Sequence, residues 1–178
     1  MKKYILVIGN GSYVLNDNYG DGVVLRSIIQ WNRINTNNSY TIILFYRDKN
    51  KKPKLEEKLK NIEGAEKIII KSLEKLDQVI ASKEIFASFI SVPDSSHYQY
   101  IEKFLFHEIP TWIVKPLTDN LQQAINITKF KNKDLLWVDY HKRFDISNML
   151  IKKFVKDNNY GKLLHYAVQY TQPYDLPM

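Results

Sequence analysis

Lys3-Tyr4-Ile5-Leu6-Val7-Ile8-Gly9-Asn10-Gly11-Ser12 is an apolar run too short for anything but a buried strand, stopped by two glycines one residue apart. A central strand of a parallel sheet is covered on both faces, so it reads as a continuous run (Ile5, Leu6, Val7, Ile8) and does not alternate. In a dinucleotide-binding turn the first glycine permits the sharp exit from the strand. The second lets backbone N–H groups approach a diphosphate with no Cβ in the way. Gly9 and Gly11 fit those places, and with Ser12 they are the candidate phosphate contacts. The third glycine of Gly-x-Gly-x-x-Gly would fall at Val14 and is missing. A polar stretch, Tyr13 to Asp21, follows instead, so an extended loop is expected. Gly20 or Gly22 would take the close-packing place at the helix start, with Asp21 as N-cap. Taken alone, these glycines are equally compatible with a plain turn that holds no ligand.

Outward from this stretch, composition sets bounds. A chain of 178 residues suits one ordinary domain, with room for an appendage, and buries roughly 70% of the surface exposed when unfolded. Cysteine is absent, which excludes disulfides, thiolate metal sites and a cysteine nucleophile; no metal site is expected. The start, Met1-Lys2-Lys3, then five apolar residues, imitates a signal peptide but stops at Gly9 without a cleavage pattern. No run approaches the roughly 20 apolar residues that span a bilayer. A cytoplasmic protein with no membrane partner is expected. The net charge of +7 comes mostly from scattered lysines, with one dense run at Lys49-Asn50-Lys51-Lys52-Pro53-Lys54. No RNP-type aromatic motif, helix-turn-helix pattern or zinc-ligand spacing accompanies it. The run reads as a solvated loop, and no nucleic-acid partner is expected.

The rest of the chain alternates. A helix is expected over Gly22–Asn35 on Val24, Ile28 and Trp31, then a strand over Tyr40–Tyr46. The next elements are a charged helix over Pro53–Ile62, a strand over Lys67–Lys71 and a helix over Leu73–Ala81. After them come a strand over Ile85–Val92 and a helix over Ser95–Glu108 on Tyr98, Ile101 and Leu105. A strand over Thr111–Val114, a helix over Asp119–Phe130 and a strand over Leu135–Tyr140 complete the series. Strand–helix alternation at this pitch predicts an α/β fold, a Rossmann-type doubly wound parallel sheet, over residues 1–140. Residues 141–178 read as the start of a second α+β domain: an amphipathic helix over Ile146–Lys156 and a strand over Lys162–Tyr170.

Ligands of such a fold lie at the carboxyl ends of the strands. The second strand ends Leu44-Phe45-Tyr46-Arg47-Asp48. A carboxylate there accepts from the ribose hydroxyls of NAD, whereas an arginine pairs with the 2′-phosphate of NADP. Arg47 comes first and Lys49, Lys51 and Lys52 follow, so NADP is favoured over NAD, with Arg47 and Asp48 both candidate cofactor contacts. Arg47 as a plain solvated charge at a strand end is the other reading.

The fourth strand runs into Val92-Pro93-Asp94-Ser95-Ser96-His97, and the fifth into Val114-Lys115-Pro116. A Pro-x-x-x-His turn followed by Lys-Pro resembles the glucose–fructose oxidoreductase/inositol dehydrogenase (Gfo/Idh/MocA) family. Trp137-Val138-Asp139-Tyr140-His141-Lys142-Arg143-Phe144-Asp145 resembles its passage out of the nucleotide domain, and Gly161-Lys162-Leu163 with His165 to Gln172 the first strand of its second domain. The resemblance implies a nicotinamide-dependent oxidoreductase acting on a sugar, polyol or related carbonyl compound. It makes Lys115 the active-site lysine between cofactor and substrate, Pro116 the following proline, often cis in the family, and Pro93 and His97 the cofactor-side turn. An ammonium at Lys115 would stabilise alkoxide charge developing on the reacting oxygen. Val114 replaces the family's glutamate, Val92 its threonine and Asp94 its asparagine.

The family's acid–base histidine lies in a second domain, farther beyond the lysine than Met178, and neither His141 nor His165 falls in its place. The expectation is therefore a cofactor domain that does not turn over as this chain. Its final strand would pair with a second copy to form a homodimer. The alternative is a non-catalytic dinucleotide-binding or sensing module that assembles through the C-terminal tail.

Overall fold

A computed structural model describes residues 3–17, 20–35, 40–157, 161–167 and 169. The chain divides into two compact units, 1–139 and 140–178.

The first unit is built on a six-stranded sheet. Its strands are β1 (Tyr4–Ile8), β4 (Thr41–Tyr46), β5 (Ile68–Ser72), β6 (Ile85–Ile90), β7 (Thr111–Val114) and β8 (Leu136–Asp139). Two further strands, β2 (Asn16–Asp17) and β3 (Gly20–Asp21), form a small separate hairpin. The sheet order is β5-β4-β1-β6-β7-β8, every pair parallel. Counted along the six main strands this is 3-2-1-4-5-6, the Rossmann arrangement. Ile5 to Ile8 are each no more than 1% exposed, as a strand buried on both faces requires. Each such side chain contributes about 1.5–3 kcal/mol of apolar burial.

The helices follow the winding. Ile5, Val7, Ile42 and Leu44 pack with Leu25, Ile28 and Ile29 of α1 (Val23–Ile34) and with Leu55 and Leu59 of α2 (Lys52–Lys60). Leu6, Ile8, Ile43 and Phe45 face the other way. They meet Leu76, Val79 and Ile80 of α3 (Leu76–Ser82), Ile101, Phe104 and Leu105 of α4 (His97–Phe106), and Ile127 of α5 (Leu121–Ile127). The expected helix frames shift in detail. α1 buries Leu25, Ile28 and Ile29, with Val24 half-buried, whereas Trp31 is 37% exposed and stacks on Phe86 with centroids 5.7 Å apart. α5 starts at Leu121, where the Asn120 side chain accepts from the Gln123 N–H at 3.1 Å.

The extended first loop is resolved into something more specific. Residues 11–15 make a tight turn, Val14 and Leu15 N–H both donating to the Gly11 carbonyl at 3.0 and 3.1 Å. The β2–β3 hairpin leaves this turn and returns to it. Val23 and Val24 N–H then donate to the Tyr13 carbonyl and Leu25 N–H to that of Val14, at 2.9, 3.2 and 3.1 Å. The turn and α1 are thus one helix in two pieces, with the hairpin inserted after the first turn. Asp21 belongs to β3 and is not the N-cap; Gly22 holds that position without a side-chain bond. Gly22 is the close-packing glycine, but against the loop and not against the sheet: a Cβ there would lie 2.3 Å from the Leu15 backbone. Val14, at the missing third glycine, is fully buried in the core.

In the second unit, α6 (Ile146–Lys156) is capped by the Asp145 carboxylate, which accepts from the Ser147 N–H at 3.1 Å. Ile146, Leu150 and Phe154 line up at helical spacing and are exposed. The strand expected over 162–170 is not formed among the described residues: 161–167 carry no ladder pairing, and 168 and 170 lie outside them. A strand exists through its ladder bonds, and no described residue of this unit supplies them.

Candidate functional site

The carboxyl ends of β1 and β6 meet where the winding reverses. The Ser91 N–H donates to the Ile8 carbonyl at 2.8 Å, drawing the two exits together. Gly9 has φ +109°, and a Cβ on it would lie 1.9 Å from the Ser91 carbonyl oxygen. Both facts demand glycine here. At Gly11 a Cβ would meet nothing within 4 Å, so that position opens into free space. The N–H groups of Ser12 and Tyr13, the first donors of the turn, have no acceptor among the described residues.

That space is a cavity of about 520 Å³. Gly9, Gly11, Ser12 and Tyr13 form its β1 side, Arg47, Asp48 and Lys51 its β4 side, and Ser91, Val92, Pro93 and Ser96 its β6 side; Leu73 and Tyr100 also line it. The fold therefore brings together six of the residues expected from sequence: Gly9, Gly11, Ser12, Arg47, Asp48 and Pro93. It leaves out His97, Lys115 and Pro116, which do not line the cavity.

Charge is distributed unevenly around it. Arg47 is exposed. Asp48 is partly committed, one carboxylate oxygen accepting from the Asn50 N–H at 2.9 Å. Of the neighbouring lysines, Lys49 pairs with Glu74 at 3.2 Å and Lys52 with Glu56 at 3.3 Å, whereas Lys51 faces the cavity. Burial raises the pKa of the Tyr100 phenol, and the positive charges of Arg47 and Lys103 pull it back down. Tyr100 escapes a sequence reading because it packs, half-buried, against the same core as Ile101, Phe104 and Leu105 and so looks like any residue at the edge of an apolar face. Its one sequence cue is the spacing of three from His97.

His97 stands behind the cavity wall. It is fully buried, with Nε2 at 2.9 Å from the Val92 carbonyl and Nδ1 at 2.9 Å from that of Pro116. Which bond the ring donates depends on which nitrogen holds the proton. The imidazole ties the turn after β6 to the turn after β7, where the Lys115–Pro116 bond is cis and Lys115 is exposed. Val114 and Val92, both half-buried, offer no polar side chain to this region. A further link went unread in the sequence: the Tyr13 hydroxyl donates to Asp139 Oδ2 at 3.0 Å across 126 positions. Burial and that bond push the Tyr13 phenol up to about 12.

Comparison with known proteins places this geometry. Residues 29–140, more than half of the chain, match the Gfo/Idh/MocA family, described as an oxidoreductase family with an NAD-binding Rossmann fold. The chain belongs to the Gfo/Idh/MocA oxidoreductase family. It is 26% identical over 105 residues to an inositol 2-dehydrogenase of Arthrobacter sp. (strain FB24). The match takes in 57% of this chain and 31% of that protein. Among solved structures, a myo-inositol 2-dehydrogenase of Lactobacillus plantarum superposes with a TM-score of 0.63 at 18% identity, over 92% of this chain and 44% of its own. An aldose–aldose oxidoreductase of Caulobacter crescentus gives 0.61 at 19%, over 89% and 43%. These structural likenesses show the fold, and the chain spans less than half the length of each relative. Among the described residues no helix is long and apolar enough to cross a membrane, and no three His, Asp or Glu are grouped to hold a metal ion.

Proposed function

We propose that the crevice at the ends of β1, β4 and β6 binds NAD(P), with NADP favoured over NAD. The chain is then the nucleotide-binding part of an oxidoreductase acting on a sugar, polyol or related carbonyl compound. The observation that carries this is the cavity itself: a glycine turn whose Ser12 and Tyr13 N–H groups have no acceptor among the described residues lines one space together with Arg47 and Lys51. Backbone donors at a helical first turn suit a diphosphate. Gly11, with nothing where its Cβ would be, leaves room for one. Arg47 and Lys51 suit a 2′-phosphate better than a bare ribose, while the free oxygen of Asp48 would accept from a ribose hydroxyl. Pro93 forms the wall, and His97 holds that wall against the Lys115–Pro116 turn. The bound nicotinamide supplies the hydride acceptor or donor. Lys115, at the end of β7, would donate to the reacting oxygen and stabilise negative charge there. Val114 and Val92 deprive that lysine of polar neighbours that would orient it, which supports weak catalysis by this chain. The second reading, a non-catalytic module that binds the dinucleotide and assembles through its C-terminal segment, is favoured by Lys115 lying outside the cavity.

Calorimetric titration with NADPH and NADH in parallel tests the proposal. The expected result is tighter binding of NADPH, weakened by Arg47→Ala by about 1.5–3 kcal/mol, the worth of a charged hydrogen bond. Binding of neither cofactor overturns the proposal, and equal binding of both overturns the NADP preference.

A further inference from the structure

The cavity wall is assembled from the β1, β4, β5 and β6 ends of the sheet and from α4; no residue of β7, of the Lys115–Pro116 turn or of β8 contributes. In a Rossmann fold a dinucleotide lies across the crevice on both sides of the switch point. The described cavity runs from the β4 end, where Arg47 stands, past β1 to the β6 end, and stops short of β7. From its lining, Tyr13 reaches out to Asp139 at the end of β8, the hydroxyl donating to Oδ2 at 3.0 Å. β8 is three strands from β1 in the order β1-β6-β7-β8, about 14 Å at the usual spacing. Tyr13 therefore reaches over the ends of β6 and β7. Asp139 is the register partner of Val114, so the phenol arrives beside the residue that precedes Lys115.

Resting on the NAD(P) reading above, we infer that the Tyr13–Asp139 hydrogen bond is a latch. While it is made, the crevice accepts the adenosine half of the cofactor and the way to Lys115 is closed; it breaks when the nicotinamide half enters. The anchors of the pair say what moves. The Tyr13 carbonyl is held by the N–H groups of Val23 and Val24, and Asp139 is held in the sheet by its pairing with Val114. Opening is then a rotation of the Tyr13 side chain between staggered rotamers and leaves the loop in place. The bond is of the charge-assisted kind, and the raised phenol keeps its proton throughout the neutral range. An apparent affinity is reduced by the fraction of molecules in the competent state. The latch therefore weakens the whole dinucleotide and spares its half.

The test is titration of the intact chain with NADPH and with adenosine 2′,5′-bisphosphate, the half carrying the 2′-phosphate, in the wild type, Tyr13→Phe, Asp139→Ala and the double variant. In the wild type NADPH should bind no more than about threefold tighter than the half-ligand. Each single variant should tighten NADPH about tenfold, or 1.4 kcal/mol, and leave the half-ligand within about twofold. Because both variants break one bond, the double variant should gain no more than either alone. Additive gains, or NADPH binding unchanged by every variant while both ligands bind, overturns the latch and leaves the cofactor reading standing. Failure of both ligands to bind any of the proteins overturns the two together.

Discussion

His97 has no exposed surface, and both of its ring nitrogens are engaged, by the carbonyls of Val92 and Pro116. Replacing it with leucine keeps a buried side chain and removes the one N–H that the neutral ring donates to these carbonyls. Leaving a buried acceptor unsatisfied costs about 1–3 kcal/mol, so His97→Leu is expected to destabilise the chain by about 1–3 kcal/mol in urea denaturation. A loss under about 0.5 kcal/mol, the scale of neutral surface changes, would show that the two turns hold without the ring. Tyr13 makes a different prediction. Its phenol is pushed from 10 up to about 12, so the neutral form is the one the fold favours. The stabilisation is complete below pH 10 and is lost as pH rises through the folded value of about 12. The wild type should therefore lose more stability than Tyr13→Phe between pH 9.5 and 11.5, measured by denaturant midpoint at each pH; parallel profiles would contradict this. Of the residues involved, Gly9 was legible in sequence, because a backbone that must turn with no room for Cβ selects glycine wherever it occurs. Tyr13, Tyr100 and Asp139 were not, because a tyrosine in a polar loop or at the edge of a helix's apolar face carries no local sign of what it meets.

The first helix carries the lesson of the elements. Its opening turn, 11–15, and its body, α1, are hydrogen-bonded to each other around the hairpin of β2 and β3. If the hairpin is an insertion into one helix, deleting residues 16–21 and joining Leu15 to Gly22 should leave the sheet and its helices intact. The expected change is about 1 kcal/mol or less, a shift of ~2–4 °C in melting temperature for a chain of this size. Loss of the cooperative transition would mean that the hairpin is needed to place the turn. Periodicity showed the body of this helix and not its opening turn, because the repeat is interrupted by polar residues and resumes in a new frame. The remaining helices and strands were legible to within a few residues, and the ends drifted where short 3-10 turns precede the helices at Leu73–Lys75 and Asp94–Ser96. The segment after Gly161 reads as a strand for its alternating aromatic and aliphatic residues, yet that pattern specifies a face and not a partner.

For the molecule as a whole, buried apolar runs alternating with amphipathic segments were enough to imply a parallel sheet wound in both directions. Backbone hydrogen bonding, burial on both faces and right-handed crossovers leave few other ways to pack such a chain. The same constraints put the crevice at the ends of β1 and β6 and made Arg47, at the end of the neighbouring β4, a residue that would border it. Those forces act between neighbours in sequence or average over many residues, so a sequence displays them directly. What had to come from the folded chain is every relation between single distant groups. That Lys51 of the run Lys49–Lys54 lines the cavity, while Glu74 and Glu56 hold Lys49 and Lys52, is such a relation. That His97 turns inward to two carbonyls, and that Tyr13 spans three strands to Asp139, depends on side-chain directions and strand order together. Such contacts rest on a few directional hydrogen bonds whose partners are brought within reach only after the sheet has closed around its core.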